Sequence, residues 1–466
     1  MSGLNASLSI ALSALSVSQQ EMETTSNNVA NANTPGYTRE VAVTSAGDPV
    51  EWGPLSMGTG VVLDKIQSLR DPMLQIQIQQ ATEQNSSLNA SLAQLQQMQT
   101  QFAGSTSGIG ADISNFFNSL QQLSPDPSDL TLRQGVLNAA CTLAADFNTA
   151  ATSLESQRSN IDQNVVDTVS QVNALTSQIA SVDQQIGNLQ SINQDPGTLV
   201  DQQNQLIQQL SGLIDVQVIP TNQGITLATA NGTTLVSGSQ SFALSTELET
   251  SGASAGMNDI MAGSNDITSS LTGGSLAGLI QIRDQEIPSV GTSLDQLASG
   301  LSTALNSANA QGYDLENPPV KGGNIFSTPP AGGTGAAAAM TVTMTDPSLL
   351  AASSDGTTGS NGNLANLSAV ADQTVANGQT PIDAYSTLVG QVGSTTSNTS
   401  ADADASNLIL QQLQDQNGSV SGVSLDEEAS NLIQYQSAYQ AAARVVSTVN
   451  LMLLDAVNLG MDTAEE

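Results

Sequence analysis

Apolar residues recur at helical spacing across residues 4–31: Leu4, Leu8, Ala11, Leu15, Met22 and Val29, with Leu12 flanking. Leu8, Leu15, Met22 and Val29 fall seven apart, the interval of a coiled-coil seam. The far end mirrors this pattern. Ser424 and Glu427 form a capping box that opens a helix. Ala429, Leu432, Gln436, Tyr439, Ala443, Val446, Asn450, Leu453 and Val457 then alternate steps of three and four. Gln436 and Asn450 are polar members of that stripe, residues that fix register at a cost in stability. The simplest arrangement pairs the two terminal helices. Their seam is thin against the entropy of ordering the chain, so they are expected to fold against neighbouring subunits.

Between the ends, Leu74, Ile78, Ala81, Asn85, Leu88, Leu92, Leu95, Gln99 and Phe102 keep the same step. A second series runs Phe147, Leu154, Ile161, Val165, Val172, Ile179, Val182, Ile186 and Leu189. It implies one continuous helix of about 60 residues, on the order of 90 Å long. Shorter helices over 110–123 and 197–213 and a helical stretch over 274–312 complete an antiparallel bundle. From Ile214 the period drops to two. Ile225–Ala230, the Asn231-Gly232 turn and Thr233–Ser237 read as a hairpin. Residues 313–345 are Pro/Gly-rich with short β runs such as Met340–Met344, and 353–363 and 393–405 read as loops. The predicted fold is mainly α: a long antiparallel helical bundle, paired N- and C-terminal coiled-coil helices, and a smaller β-rich outer domain. Residues 1–36 plus 424–466 form the terminal coiled-coil assembly domain. Residues 37–213 plus 274–312 plus 399–423 form the bundle, and 214–273 plus 313–398 the outer domain.

Charge narrows the function. The formal net charge of the 466-residue chain is −34, with only 8 Lys plus Arg. Such a chain repels nucleic acid and anionic membrane surfaces, and no run of residues is long and apolar enough for a membrane span. Charged residues are only 11% of the total, so identical copies can approach without forcing like charges together. The low isoelectric point also suits an acidic exterior. There is no histidine, which removes histidine-based catalysis and zinc ligation. The single cysteine, Cys141, sits in an apolar helical stretch and is expected to be a buried thiol. Asp402 and Asp404 lack the glycine and closing glutamate of a calcium loop. Asp426, Glu427 and Glu428 suit a helix start. No cofactor or metal is predicted. Leu8–Leu15 lacks a basic flank, since the first positive side chain is Arg39, so export without a cleaved signal peptide is expected. Trp52 is expected to anchor either a subunit contact or a local core.

Pro35 presets a turn and Gly36 can take φ > 0, so the first helix should stop near Asn33. Asn27, Asn28 and Asn31 can cap carbonyls there or bridge to a neighbouring chain. As a string, Ser26 to Arg39, with Asn27, Asn28, Ala30, Asn31, Thr34, Pro35, Gly36 and Tyr37, resembles the N-terminal signature of the bacterial flagellar rod, hook and hook-associated axial proteins. Ser421, Gly422, Asp426, Glu427 and Glu428, running into Tyr435, Gln436 and Tyr439, resemble the C-terminal signature of that family's hook-associated junction proteins. Between the ends the likeness is patchier: Gly273-Gly274, Arg283-Asp284, Gly322–Phe326, and Asn309 where the family's histidine is usual. The chain looks short for the family, with a reduced outer domain. The resemblance implies an extracellular structural subunit, not an enzyme, that assembles head-to-tail at the junction of hook and filament. It implies self-contacts, contacts with hook protein and with a second junction protein or the filament side, and export through the flagellar type III apparatus with a chaperone on the C-terminal helix. A sister axial protein (hook or distal rod) and a secreted coiled-coil adhesin remain alternatives. A carried wall hydrolase finds no acid pair or metal site.

Overall fold

In the computed structural model, which describes residues 2–52, 55–102, 108–192, 194–221, 224–251 and 254–462, the N-terminal periodicity becomes helix α1 (Ser2–Asn31). Two antiparallel hairpins follow: β1 (Glu40–Ala46) pairs with β4 (Val61–Ser68), and within them β2 (Val50–Trp52) pairs with β3 (Leu55–Met57). Next come helices α2 (Pro72–Phe102), α3 (Ile109–Leu123), α4 (Leu130–Ser191) and α5 (Gly197–Ser211). Strands β5 (Gln217–Thr221), β6 (Gly224–Ala228), β7 (Thr234–Ser237) and β8 (Gln240–Ser241) form a meander. Strands β9 (Leu244–Leu248), β10 (Asn258–Ala262) and β11 (Asn265–Asp266) form a second sheet. Helix α6 (Gly274–Gln281) passes through a π turn at Ile282–Glu286 into α7 (Ile287–Asn309). Helices α8 (Ala336–Ala339), α9 (Gly362–Ala369), α10 (Pro381–Ser421) and α11 (Leu425–Asp462) complete the chain. The fold is mainly α with smaller β elements, as the periodicity predicts.

The 62-residue α4 is the frame. Its start is fixed by Asp129, whose carboxylate accepts from Thr131 N at 2.7 Å and Leu132 N at 3.3 Å. No proline interrupts it, and Val136, Leu143, Phe147, Leu154, Ile161, Val165, Val172, Ile179 and Ile186 form one buried stripe. Helices α3, α5 and α7 pack on α4, while α10 and α6 lie along α2. A single apolar cluster runs from this bundle into both sheets and the 325–370 region. The Asn231-Gly232 turn joins β6 to β7 with Gly232 at φ +88°, as the dipeptide predicts.

Two buried arginines tie distant segments to α4. Arg133, 1% exposed, donates to the carbonyl of Pro127 at 2.6 Å and of Leu350 at 2.5 Å. Arg283, fully buried, donates to Asp162 at 2.7 Å, to Asp284 at 2.8 Å and to Asn258 O at 2.7 Å. The first holds the 347–350 turn on the bundle, and the second holds the sheet containing β10.

Four expectations change. Residues 393–405, read as a loop, lie inside α10. Their Ser, Thr, Asn and Ala content looked loop-like, but Val392, Thr396, Ala403 and Ser406 are small and buried, which lets α10 lie close to α2. Asp402 and Asp404 are exposed on its outer face. Met340–Met344 makes only the isolated bridge Phe326–Val342, with Met340 and Met344 in the core. The 313–398 stretch, read as β-rich, holds isolated bridges, α8, α9 and the start of α10. Cys141 is exposed, because it sits one step off the Ala140, Leu143, Ala144 stripe. Trp52 belongs to β2, but its side chain lies outside the described residues.

Several partly buried carboxyl groups sit above their ordinary range, and for Asp259 the Arg283 cation only partly opposes the shift. Burial, and more weakly Asp215, raises Glu83 to about 7. Burial and the neighbouring Asp146 raise Asp112 to about 6, and burial, Asp266 and Glu249 raise Asp259 to about 6. A folded value above the unfolded one means that the folded state binds more protons. The stability these groups contribute is therefore complete below their ordinary values of 3.8 to 4.5 and is lost as pH rises through about 6 to 7. The melting temperature should fall from about pH 5 to about pH 8, and Glu83→Gln should flatten that slope. Calorimetry across this range checks it; a melting temperature that rises with pH contradicts the sign.

Candidate assembly site

The last turns of α1 run into a tight reversal. Tyr37 N donates to Thr34 O at 3.2 Å, with Pro35 second in the turn and Gly36 third at φ +74°. A side chain at Gly36 would also collide with Gln205 of α5, whose amide donates to Pro35 O. The reversal folds residues 37–40 back along α1. Asn28, 1% exposed, then becomes a hub. Its Oδ1 accepts from Tyr37 OH at 2.9 Å and Glu40 N at 2.9 Å. Its Nδ2 donates to Glu40 O at 2.8 Å and to Glu428 Oε2 at 3.2 Å. Every hydrogen-bonding position of that amide is occupied.

The opposite end of the chain supplies the other half. Arg39 N donates to Ser421 O at 2.9 Å, just before α11. The Arg39 guanidinium donates from Nε to Glu428 at 2.7 Å and from Nη1 to Glu427 at 2.6 Å. Glu428 is 1% exposed, so this pair is largely screened from water. Helix α5 adds a third strand of contact. Asp201 accepts from Thr38 N at 3.0 Å, from Thr38 Oγ1 at 2.7 Å and from Arg70 Nη2 at 2.6 Å. Arg70 also donates to Gly197 O at 2.9 Å. One polar joint thus clamps α1, α11 and α5 together.

Burial chiefly, with Glu40, Asp201 and Glu428 adding to it, holds the Tyr37 hydroxyl far above its ordinary value, so it remains a donor to Asn28. Burial and then Asp195 push Glu40 upward. The capping box is half formed. Glu427 N reaches Ser424 Oγ only at 3.5 Å, while the Glu427 carboxylate turns to Arg39, a stronger partner than a backbone amide.

Helices α1 and α11 pair, and because Asn28 meets Glu428 they run antiparallel. The buried stripe on α11 is Glu428, Ala442 and Val449, with Leu432, Tyr435, Val446 and Leu453 half-buried. Leu432, Ala443, Val446 and Leu453 match the predicted seam, whereas Tyr439 is exposed. Ala429, Gln436, Asn450 and Val457 are exposed instead, so Gln436 and Asn450 do not set register within the pair. On α1, Leu8, Leu15 and Met22 are half-buried and Val29 is exposed. The most buried side chains are Ala11, Val17, Ser18, Thr24, Thr25 and Asn28, because the hairpin of β1 and β4 covers a second face. That hairpin gave no signal of its own in the sequence.

Of the expected assembly residues, Asn28, Tyr37, Ser421, Glu428 and Tyr435 turn inward on their own chain. Asn27, Ala30, Thr34, Pro35, Gly36, Asp426, Glu427, Gln436 and Tyr439 are exposed. Asn31 is half-buried, its amide donating to Asn27 O at 3.0 Å, and Gly422 is half-buried behind Gly418. Arg39, Arg70 and Asp201 are the contributors that motif reading passed over. The signal for them was scarcity: each positive charge in so acidic a chain merits a search for its carboxylate. Among the described residues no group of three or more His, Cys, Asp or Glu could hold a metal ion, and no helix is long and apolar enough to cross a membrane.

Residues 95–326 match the model of the flagellar hook-associated protein FlgK helical domain. Residues 8–38 match that of flagella basal body rod protein, and residues 416–459 that of the flagellar basal body rod FlgEFG protein C-terminal. Flagellar hook-associated protein 1 of Bacillus subtilis is 30% identical over 498 residues, covering 97% of this chain and 98% of the relative. Its namesake in Escherichia coli is 26% identical over 540 residues, covering 96% and 98%. That alignment is longer than the 466 residues here, so the relative carries stretches without a counterpart. The flagellar hook junction protein FlgK from Burkholderia pseudomallei shares the fold, with a TM-score of 0.67 at 19% identity over 74% of this chain and 100% of that one.

Removing one member of the joint should loosen the terminal helices before the bundle. Arg39→Ala strands the buried Glu428 and should cost about 3–5 kcal/mol. Asn28→Ala leaves Glu40 N and O unpaired and should cost about 1–3 kcal/mol. Hydrogen exchange should show the loss in α1 and α11 with α4 unchanged. Equal loss of protection in α4 would mean that the joint is not a local clamp.

Proposed function

We propose, since the chain belongs to the family of flagellar hook-associated protein 1, that it is a structural subunit of the bacterial flagellum at the junction between hook and filament. The observation that carries this reading is the order of the matched regions. Rod-type termini at 8–38 and 416–459 flank a helical middle, 95–326, of the hook-associated type. The termini alone fit any rod or hook protein; the middle separates the junction proteins from them.

In this reading the terminal unit, 1–36 plus 424–466, is the assembly domain. The bundle (37–213, 274–312, 399–423) forms the middle, and 214–273 with 313–398 the outer side. The polar joint fixes the angle of α1 and α11 on the bundle, so that every copy presents its terminal pair in the same pose. Exposed apolar side chains on that pair, among them Leu12, Ile433, Val445, Leu451, Met452 and Leu454, suit burial in an assembly. Head-to-tail contacts between copies need no two-fold symmetry and build rings or tubes. Asn27, Thr34, Asp426, Gln436 and Tyr439 are exposed members of the two signatures and face those contacts. Hook protein lies on one side, and the second junction protein or the filament on the other. The subunit works outside the cell, delivered through the flagellar export apparatus with a chaperone covering α11 beforehand. Its role is mechanical and it catalyses no reaction.

Electron microscopy of the parent bacterium lacking this chain, with flagellin assayed in the medium, tests the reading. Complete hooks without filaments, with flagellin shed, is the expected result. Missing hooks or truncated rods would assign the chain to a sister position in the axis.

A further inference from the structure

Eight positive side chains serve a chain of net charge −34, and the structure accounts for six of them internally. Arg39 holds Glu427 and Glu428, Arg70 holds Asp201, and Arg283 holds Asp162 and Asp284. Arg133 binds the carbonyls of Pro127 and Leu350, and Arg158 donates to the carbonyl of Arg283 at 3.1 Å. Lys321 donates to Gln311 O and lies 4.0 Å from the Tyr313 ring centre. Among the described residues, Lys65 and Arg444 alone have no ion pair, hydrogen bond or ring contact, and both are exposed. Both also lie on or beside the terminal helices. Lys65 is on β4, in the hairpin that packs on α1, and Arg444 is on α11.

Arg444 lies on an exposed face of α11, with Gln440, Ala441, Ser447 and Thr448 in the adjacent turns and apolar side chains further along. Ile433 lies three helical turns before it and Leu451 two turns after it, on the same face, and they are 65% and 63% exposed. Val445 and Met452 flank that stripe, also exposed. Exposed apolar side chains on the same helix as an unpaired cation suit a contact surface.

Electrostatics identifies the partner. Two copies at −34 repel one another at long range, and a cation set against carboxylates of the other copy offsets that repulsion where they meet. The terminal helices carry such carboxylates: Glu21 and Glu23 on α1 and Asp426 and Asp455 on α11, none of them in an ion pair within its own chain among the described residues. We infer that Lys65 and Arg444 are the two electrostatic contacts by which one copy registers on a second copy, each meeting carboxylates on the terminal helices of its neighbour. The inference rests on the head-to-tail assembly proposed above. It names which charges set the register of that assembly.

The test returns variants to the strain lacking this chain. Gln134→Glu, on the exposed face of α4, controls for added negative charge and should restore filaments like the wild type. Lys65→Glu and Arg444→Glu, singly and together, should be secreted normally yet reduce hooks bearing filaments by at least about tenfold, with the unassembled chain recovered from the medium; tenfold corresponds to about 1.4 kcal/mol. Arg444→Lys should restore assembly. The purified double variant should keep the circular dichroism and melting temperature of the wild type, because neither side chain has a partner in its own chain. Full restoration of filaments by the double variant overturns the inference. So does a lowered melting temperature, which would assign the cations to the monomer, or retention in the cell, which would assign them to export. Normal flagella in the strain lacking the chain would instead sink the proposed function itself.

Discussion

A buried carboxylate, Glu428, held between the Arg39 guanidinium and the Asn28 amide, joins two ends of the chain that are 400 residues apart. The rest of the terminal architecture depends on this contact. A carboxylate shielded from water is costly unless paired and hydrogen-bonded, so α11 can dock in only the one pose that brings Glu428 to Arg39. Asn28 adds direction, because its amide must also satisfy Tyr37 and both backbone groups of Glu40. Hydrophobic pairing alone would let two smooth helices slide by a turn, whereas this polar set has a single register. Thr38, Arg70 and Asp201 then carry the constraint to α5 and so to the bundle.

The same economy of positive charge recurs further out. Arg133 and Arg283 are among the largest fully buried side chains, and each binds a segment remote in sequence to the long helix. Arg133 collects carbonyls from the 347–350 turn, and Arg283 collects carboxylates and the Asn258 carbonyl. A planar guanidinium with five donors suits such multi-point fastening better than an ammonium does. The result is a middle stiffened by specific polar bolts as well as by one continuous apolar cluster. Uncovered apolar side chains recur on the terminal pair, at Ile433, Leu451, Met452 and Leu454, and also on other elements, at Met73, Phe242 and Leu408.

Partly buried carboxyl groups with raised proton affinity complete the picture. Glu83, Asp112 and Asp259 all sit above their ordinary range because burial and like charge disfavour ionisation. Excess acidity therefore has two faces: a repulsive exterior that keeps copies apart until complementary contacts align, and an interior that prefers to hold protons. The low density of charged residues, only 11%, limits the first.

The sequence by itself determined the elements whose causes are local. The proline-free stripe from Phe147 to Leu189 required a long helix, Pro35-Gly36 ended α1, Asn231-Gly232 turned β6 into β7, and Ser424 preceded the start of α11. The terminal signatures also pointed to the family, because they are strings that need no partner to be read. What faces what was decided only in three dimensions. Two near-equivalent stripes run along α11, and the inner one passes through Glu428, Tyr435, Ala442 and Val449 because Arg39 and Asn28 seize Glu428. Residues 393–405 became helix because α2 offered a close surface for small side chains, and Thr24 and Thr25 became buried because a hairpin folded over them. Cys141 stayed outside because it lies one step off the buried Ala140, Leu143 and Ala144. Helical spacing states which residues share a face, but the free energy of burying that face belongs to the element opposite, and that element comes from elsewhere in the chain.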